Sequence, residues 1–256
     1  AGDVNPYFAC MAALGLLAET KNCPITETEK KAVDRYLDWH TGILLETDGK
    51  MGIYRKKSGK LIYKEKADSE DGYLGMYLFL MGKYLEKTES TDLPEYWKKG
   101  ISLALKKIQS LMQDGITQVS EENTTVYLMD NLEVWKGLYE LEHAGLKDVQ
   151  AIREMRNKLQ AQIEKLFWDD ANQRWRIIEN SNLYHQKEFY PDGVAQIYPL
   201  IYEFPVKEKK KQKVLYDQFT ERFQWQKLNK KRTGFLWAIT GMAAAQMGDI
   251  NNLVEL

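Results

Sequence analysis

Long apolar runs, cysteine, proline and an excess of either charge are all scarce in this sequence, and each scarcity excludes a class of protein. No uninterrupted apolar stretch approaches the roughly 18 residues that a membrane-crossing helix needs, and Ala1 to Asn5 carry neither the basic nor the apolar part of a secretion signal. A secreted protein whose leader has been removed reads the same way, so the compartment stays open, as does the oligomeric state. Only Cys10 and Cys23 occur, and their separation fits no metal-ligand or redox spacing. With 36 basic against 37 acidic residues and a pI near 6.4, the chain has no net field to draw it to nucleic acid or an anionic membrane. Only 6 prolines and 17 glycines interrupt 256 residues that are 44% hydrophobic, enough apolar side chain for a globular core and too much for disorder.

What is abundant is helical periodicity. Pro6 suits a first helical turn, and Tyr7, Met11, Leu14 and Leu17 follow at three- and four-residue steps. Thr26 with Glu29 makes a capping-box pattern, after which Val33, Tyr36, Leu37, His40 and Leu44 trace one face. Further helices are predicted near 71–85, 94–112, 125–144, 147–167, 193–203, 207–223 and 234–247, about nine in all. Two stretches break the pattern: 51–63, where Ser58-Gly59 makes a turn, and 175–184; both read as short hairpins or ordered loops. Short connections make successive helices antiparallel neighbours, and no Gly/Ser/Pro-rich linker divides the chain, so the expectation is one all-α domain over 1–256. The basic run 207–213 reads as the solvated first turn of a helix.

Acids gather where helices begin. Asp68, Glu70 and Asp71 precede the apolar run Leu74 to Leu80, and Tyr73 stands among them. Capping accounts for one such residue, and four polar groups exceed what a cap requires. Asp130 and Glu133 lie three residues apart on one side of a helix that also carries Tyr127, Asn131 and Trp135. Facing inward they would be desolvated, which raises a carboxyl pKa toward what a general acid needs; facing outward they would be an ordinary polar stripe. Asp192, after Tyr190-Pro191, is either a plain N-cap or part of a lined cleft. Trp39 within Asp38-Trp39-His40, Asp48 just beyond it, and Trp237 at the last apolar helix complete a set of aromatic faces and carboxylates that fits a glycan groove, although each tryptophan alone is more often core.

Pro6-Tyr7-Phe8, Asp38-Trp39-His40, 68–73, 127–134 and Tyr190-Pro191-Asp192 together resemble the six-hairpin glycosidase-like proteins of the (α/α)6 toroid type, which include family 8 endoglucanases and related exopolysaccharide hydrolases. The resemblance spans most of the chain, without the Ser-Glu-Gly helix start of family 8 and with fewer than twelve helices, as in an incomplete toroid. It implies an inner ring of helices whose N-termini line a cleft for a carbohydrate chain. Asp68 and Asp71 would face that cleft from one helix, Asp130 and Glu133 from another, and Asp192 from a third. Hydrolysis would then pair Asp130 or Glu133 with Asp68 or Asp71 as acid and base. Trp39, Asp48, Tyr73, Tyr127, Asn131, Tyr190, Asp192 and Trp237 would contact the sugar. His40, His143 and His185 are isolated, and neither a phosphate loop nor a nucleophile elbow is present, so no metal or organic cofactor is expected. A non-catalytic glycan-binding protein, and a sugar epimerase or polysaccharide lyase using histidine or tyrosine, are the alternatives.

Overall fold

In the computed structural model of the chain, the described residues are 2–18, 23–89, 93–179, 188–206, 209–227 and 239–254. They are mostly helical, with short antiparallel strand pairs between helices. The chain divides into two compact units, one formed by residues 1–124 with 133–160 and the other by 125–132 with 161–256.

The first unit begins with β1 (Asp3–Val4) and α1 (Pro6–Leu16), whose cap Asn5 accepts from the Tyr7 amide at 2.9 Å while Pro6 occupies the first turn. The expected capping box opens α2 (Glu27–Glu46): the Glu29 carboxylate accepts from the Thr26 amide at 2.8 Å, and the Glu29 amide donates back to Thr26 Oγ1. Its buried face is Val33, Leu37, His40, Thr41 and Leu44. The expected hairpin follows as β2 (Gly52–Lys57) and β3 (Lys60–Lys66), with β1 on its outer edge. Ser58 and Gly59 both take positive φ, the backbone that a two-residue turn between twisted strands demands.

Ser69 caps α3 (Glu70–Thr88) by accepting from the Gly72 amide at 3.2 Å. Every residue from Glu70 to Gly82 is buried, so α3 is an internal helix, as its unbroken apolar run predicts. It is followed by α4 (Glu95–Leu111) and by a hairpin of β4 (Met112–Gln113) and β5 (Ile116–Thr117), turned by Asp114-Gly115 at positive φ. Helix α5 (Leu128–His143) crosses α3 with no side chain between the backbones: a Cβ on Gly75 would lie 2.6 Å from the Val134 nitrogen, and one on Gly137 would strike the Gly75 carbonyl. This contact fixes the start of α3 against the first half of α5. Helix α6 (Gln150–Phe167) carries the chain onward.

In the second unit, the segment entering α5 pairs with 177–179: the Leu128 amide donates to the Ile177 carbonyl at 2.9 Å and Glu179 to Val126 at 3.1 Å. A hairpin of β6 (Trp168–Asp169) and β7 (Arg174–Trp175) continues from α6, so strand pairing begins earlier than the expected 175–184 break, and 180–184 lies outside the described residues. An irregular turn (Phe189–Gly193), with Tyr190 in an extended conformation, leads into α7 (Val194–Ile201), buried at every position but Gln196. Then come α8 (Lys209–Phe223), a short 3₁₀ turn (Trp225–Lys227), α9 (Thr240–Met247) and α10 (Ile250–Val254).

Candidate functional site

The close approach of α3 and α5 brings three elements of the first unit to one place. Glu133, on α5, is 3% exposed, and its Oε1 accepts a 2.6 Å hydrogen bond from the hydroxyl of Tyr7, on α1. A phenol donating to a carboxylate over that distance is a short, charge-assisted bond. The Tyr7 ring packs on Tyr73 of α3, centroids 5.8 Å apart. Tyr73 is itself 3% exposed, and its buried hydroxyl makes no well-formed hydrogen bond among the described residues; the Asn5 side chain and the Asp68 carboxylate are polar neighbours. Burial, then the negative charge of Asp68 and with it that of Glu133, hold the Tyr73 phenol well above its ordinary pKa, so it is a hydrogen-bond donor at any working pH. Asp68 is exposed just before the α3 cap. Two carboxylates and two phenols thus meet at the mouth of a buried helix.

Asp71 sits one turn into the same helix in a different setting. It is fully buried, and three donors occupy it: Ser69 Oγ at 2.8 Å and the Gly72 amide at 3.0 Å on Oδ1, and the Thr117 hydroxyl at 2.7 Å on Oδ2. Burial raises its pKa to about 6 against the opposing pull of those hydrogen bonds. Its geometry ties β5 to the start of α3, a tie repeated by the Glu70 amide on the Val119 carbonyl at 2.8 Å.

Of the remaining predicted residues, Trp39 is half-buried against Tyr36 and Tyr54, and its neighbour Asp38 accepts from Trp97 Nε1 at 2.9 Å and from the Tyr96 hydroxyl. Asp48 is exposed beside Lys107 at 3.5 Å. In the second unit, Asn131 is buried and its Nδ2 donates to the Tyr127 carbonyl at 2.9 Å, fixing the entry to α5, while Asp130 is half-buried in the first turn. Asp192 is buried and lines a cleft of about 680 Å³ with Trp175, Gln196, Phe219 and Arg222; Tyr190 is 43% exposed. Trp237, like His185, lies outside the described residues. No cluster of three or more His, Cys, Asp or Glu among the described residues could hold a metal ion, and none of their helices is long and apolar enough to cross a membrane.

No protein-family model matches the sequence, and no curated protein matches it. A solved structure does. A rhamnosidase from Klebsiella oxytoca with rhamnose bound superposes on 96% of this chain with a TM-score of 0.55 and 9% sequence identity. The chain spans about half of that structure, 49% of its length. The likeness shows the fold alone: mostly α, with short strand pairs inserted between helices. At this identity the fold carries no chemistry with it, and function has to be argued from the side chains.

Two participants, Tyr7 and Thr117, were not among the expected site residues. Tyr7 lies 126 residues from Glu133, and only the crossing of α1, α3 and α5 brings them together. Thr117 follows an Asp-Gly turn that marks a hairpin, and that signal, unlike Tyr7's, was available in the residues themselves.

Proposed function

We propose that this chain is a glycoside hydrolase acting on a polysaccharide or oligosaccharide, with Glu133 and Asp68 as the working carboxylates and no cofactor. The supporting observation is the Tyr7–Glu133 hydrogen bond at the buried start of α3, with the Tyr73 ring packed on Tyr7 and its hydroxyl neighbouring Asp68. Glycosidic hydrolysis needs one carboxylic acid to protonate the leaving oxygen and one carboxylate to activate water or attack the sugar. The Tyr7 phenol is an uncharged donor that leaves the Glu133 carboxylate its capacity to take a proton, whereas the three donors on Asp71 suit it to positioning the helix. The resemblance to family 8 enzymes supplies only the inverting expectation, in which the two carboxyls stand roughly 6.5–9.5 Å apart.

Incubation with a panel of α- and β-linked glycans, followed by product analysis and NMR of the first-formed anomer, tests the reading. Expected is a cleavage activity that Glu133→Gln and Asp68→Asn each remove with the thermal transition retained. Sugar-chain binding without product on prolonged incubation would instead leave a glycan-binding protein.

A further inference from the structure

We propose that the cavity between the β6–β7 hairpin, α6 and α8 is a separate binding site for a single neutral, polyhydroxylated ring, a monosaccharide or its glycoside. The cavity has a volume of about 320 Å³ and lies wholly within the second unit. That is the small end of the roughly 300–1,000 Å³ span of ligand pockets, room for one substituted ring and not for a chain.

Its walls carry two polar groups that bind nothing among the described residues. Gln212 is 8% exposed and Trp175 is 3% exposed; both line the cavity, and neither Gln212 Nε2 nor Trp175 Nε1 has a hydrogen-bond partner among the described residues. Buried N–H donors are ordinarily satisfied, so two on one small cavity call for acceptors that a ligand could bring, the Gln212 amide by rotating about its last, soft torsion. The rest of the lining says what kind of acceptor. Lys165 and Lys211 are balanced by Glu164 and Asp170, and Lys211 reaches Asp170 at 3.7 Å, so a full charge on the ligand gains no counter-ion. Donors and carboxylate acceptors side by side suit hydroxyl groups, each of which gives and takes a proton. Trp168 supplies an aromatic wall, held by its Nε1 on Asp170 at 2.8 Å, its ring at 70° to Trp175 with centroids 5.1 Å apart. An indole beside amide and carboxylate groups is the combination that binds a sugar ring by its C–H surface and its rim. None of the described lining residues belongs to the proposed carboxylate pair, so the site stands whether or not the chain is a hydrolase.

The experiment is a ¹H–¹⁵N NMR titration of the full chain with methyl β-D-glucopyranoside, methyl α-D-mannopyranoside and methyl α-L-rhamnopyranoside, with glucuronate and glucosamine as charged controls. Expected is a saturable downfield shift of the Trp175 indole N–H with at least one neutral glycoside. Gln212→Leu should weaken that response by at least about tenfold, and Glu133→Gln should leave it unchanged. Trp168→Phe, which removes the indole N–H that fixes Asp170, gives a second measurement of the same loss should Gln212→Leu not fold. The proposal is overturned by any of three outcomes: no saturable shift with any neutral probe, a shift that survives both substitutions, or a preference for glucuronate or glucosamine. Loss of the shift in Glu133→Gln would also overturn it, by assigning the ligand to the proposed hydrolytic site.

Discussion

The two ends of the α3–α5 crossing bury carboxylates in opposite ways. At one end Glu133 is held by the Tyr7 hydroxyl, with Tyr73 and Asp68 beside it. At the other, Glu140 lies between Lys136 at 2.7 Å and Lys83 at 3.0 Å, Lys136 itself 4% exposed over the rings of Phe79 and Tyr139. Gly75 and Gly82 give both ends the same backbone approach, so the helices do not distinguish them. The partners do. Two ammonium groups neutralise Glu140 and fix it as scaffold, whereas the bond described for Glu133 comes from a neutral phenol. Burial alone therefore does not mark a reactive acid.

The comparison breaks first at its two carboxylates. Glu133→Gln should lower cleavage by about 10²–10⁴-fold, the range of a lost acid or base, with little change in thermal stability. Glu140→Gln should do the reverse, destabilising the fold by about 3–5 kcal/mol because two ammonium groups lose their shared partner, one of them buried, while the activity per folded molecule survives. Glycan cleavage and urea unfolding on the same two samples decide it; equal loss of stability in both variants would remove the distinction. Gly75→Ala acts on both ends at once. Its Cβ, 2.6 Å from the Val134 nitrogen, forces the helices apart and should cost about 1–3 kcal/mol, and the displacement should slow cleavage as well. Unaltered unfolding of Gly75→Ala would mean that α3 and α5 do not touch through this glycine. Smaller again, Tyr7→Phe should reduce kcat by about tenfold with KM nearly constant, since one hydrogen bond to a charged group is lost and the ring packing is kept.

How far the sequence carried these distinctions follows from the range of each signal. Helices α1 to α4 were legible because capping residues and apolar spacing are local: the Thr26–Glu29 box and the Leu74–Leu80 run give the same element in the sequence and in the structure. The Ser58-Gly59 hairpin was legible for the same reason. Asp114-Gly115 carries an equally local signal, hidden by the helical periodicity on either side, and with it Thr117 and the anchoring of Asp71 went unread. Asp71 leads into an apolar run and Glu133 lies within one; the donors Thr117 to Asp71 and Tyr7 to Glu133 come from other elements, out of reach of any local pattern. Helix-start acids were thus visible as a group, and their division into anchor and proposed catalyst was not.

The pH dependence of stability sets a further pair of regions against each other, the Asp71 anchor and the core around His40. His40 is fully buried, its Nδ1 3.1 Å from the Tyr36 hydroxyl, and burial lowers its pKa from 6.5 to about 3. An imidazole whose folded pKa is depressed leaves the unfolded chain holding the extra proton, so stability is lost as pH falls from about 6.5 toward 3. Asp71 runs the other way. Its folded pKa, raised from 3.8 to about 6, leaves the native state holding the extra proton, so its contribution is full below about 4 and is lost as pH rises to 6. Each slope approaches at most about 1.4 kcal/mol per pH unit, and in the shared window from pH 4 to 6 they oppose. These two groups should therefore leave the wild-type stability nearly flat there. Asp71→Asn should uncover a fall in urea midpoint on acidification from pH 6 to 4, and His40→Gln a rise over the same interval. Parallel profiles for the two variants would show that neither group titrates as its surroundings require.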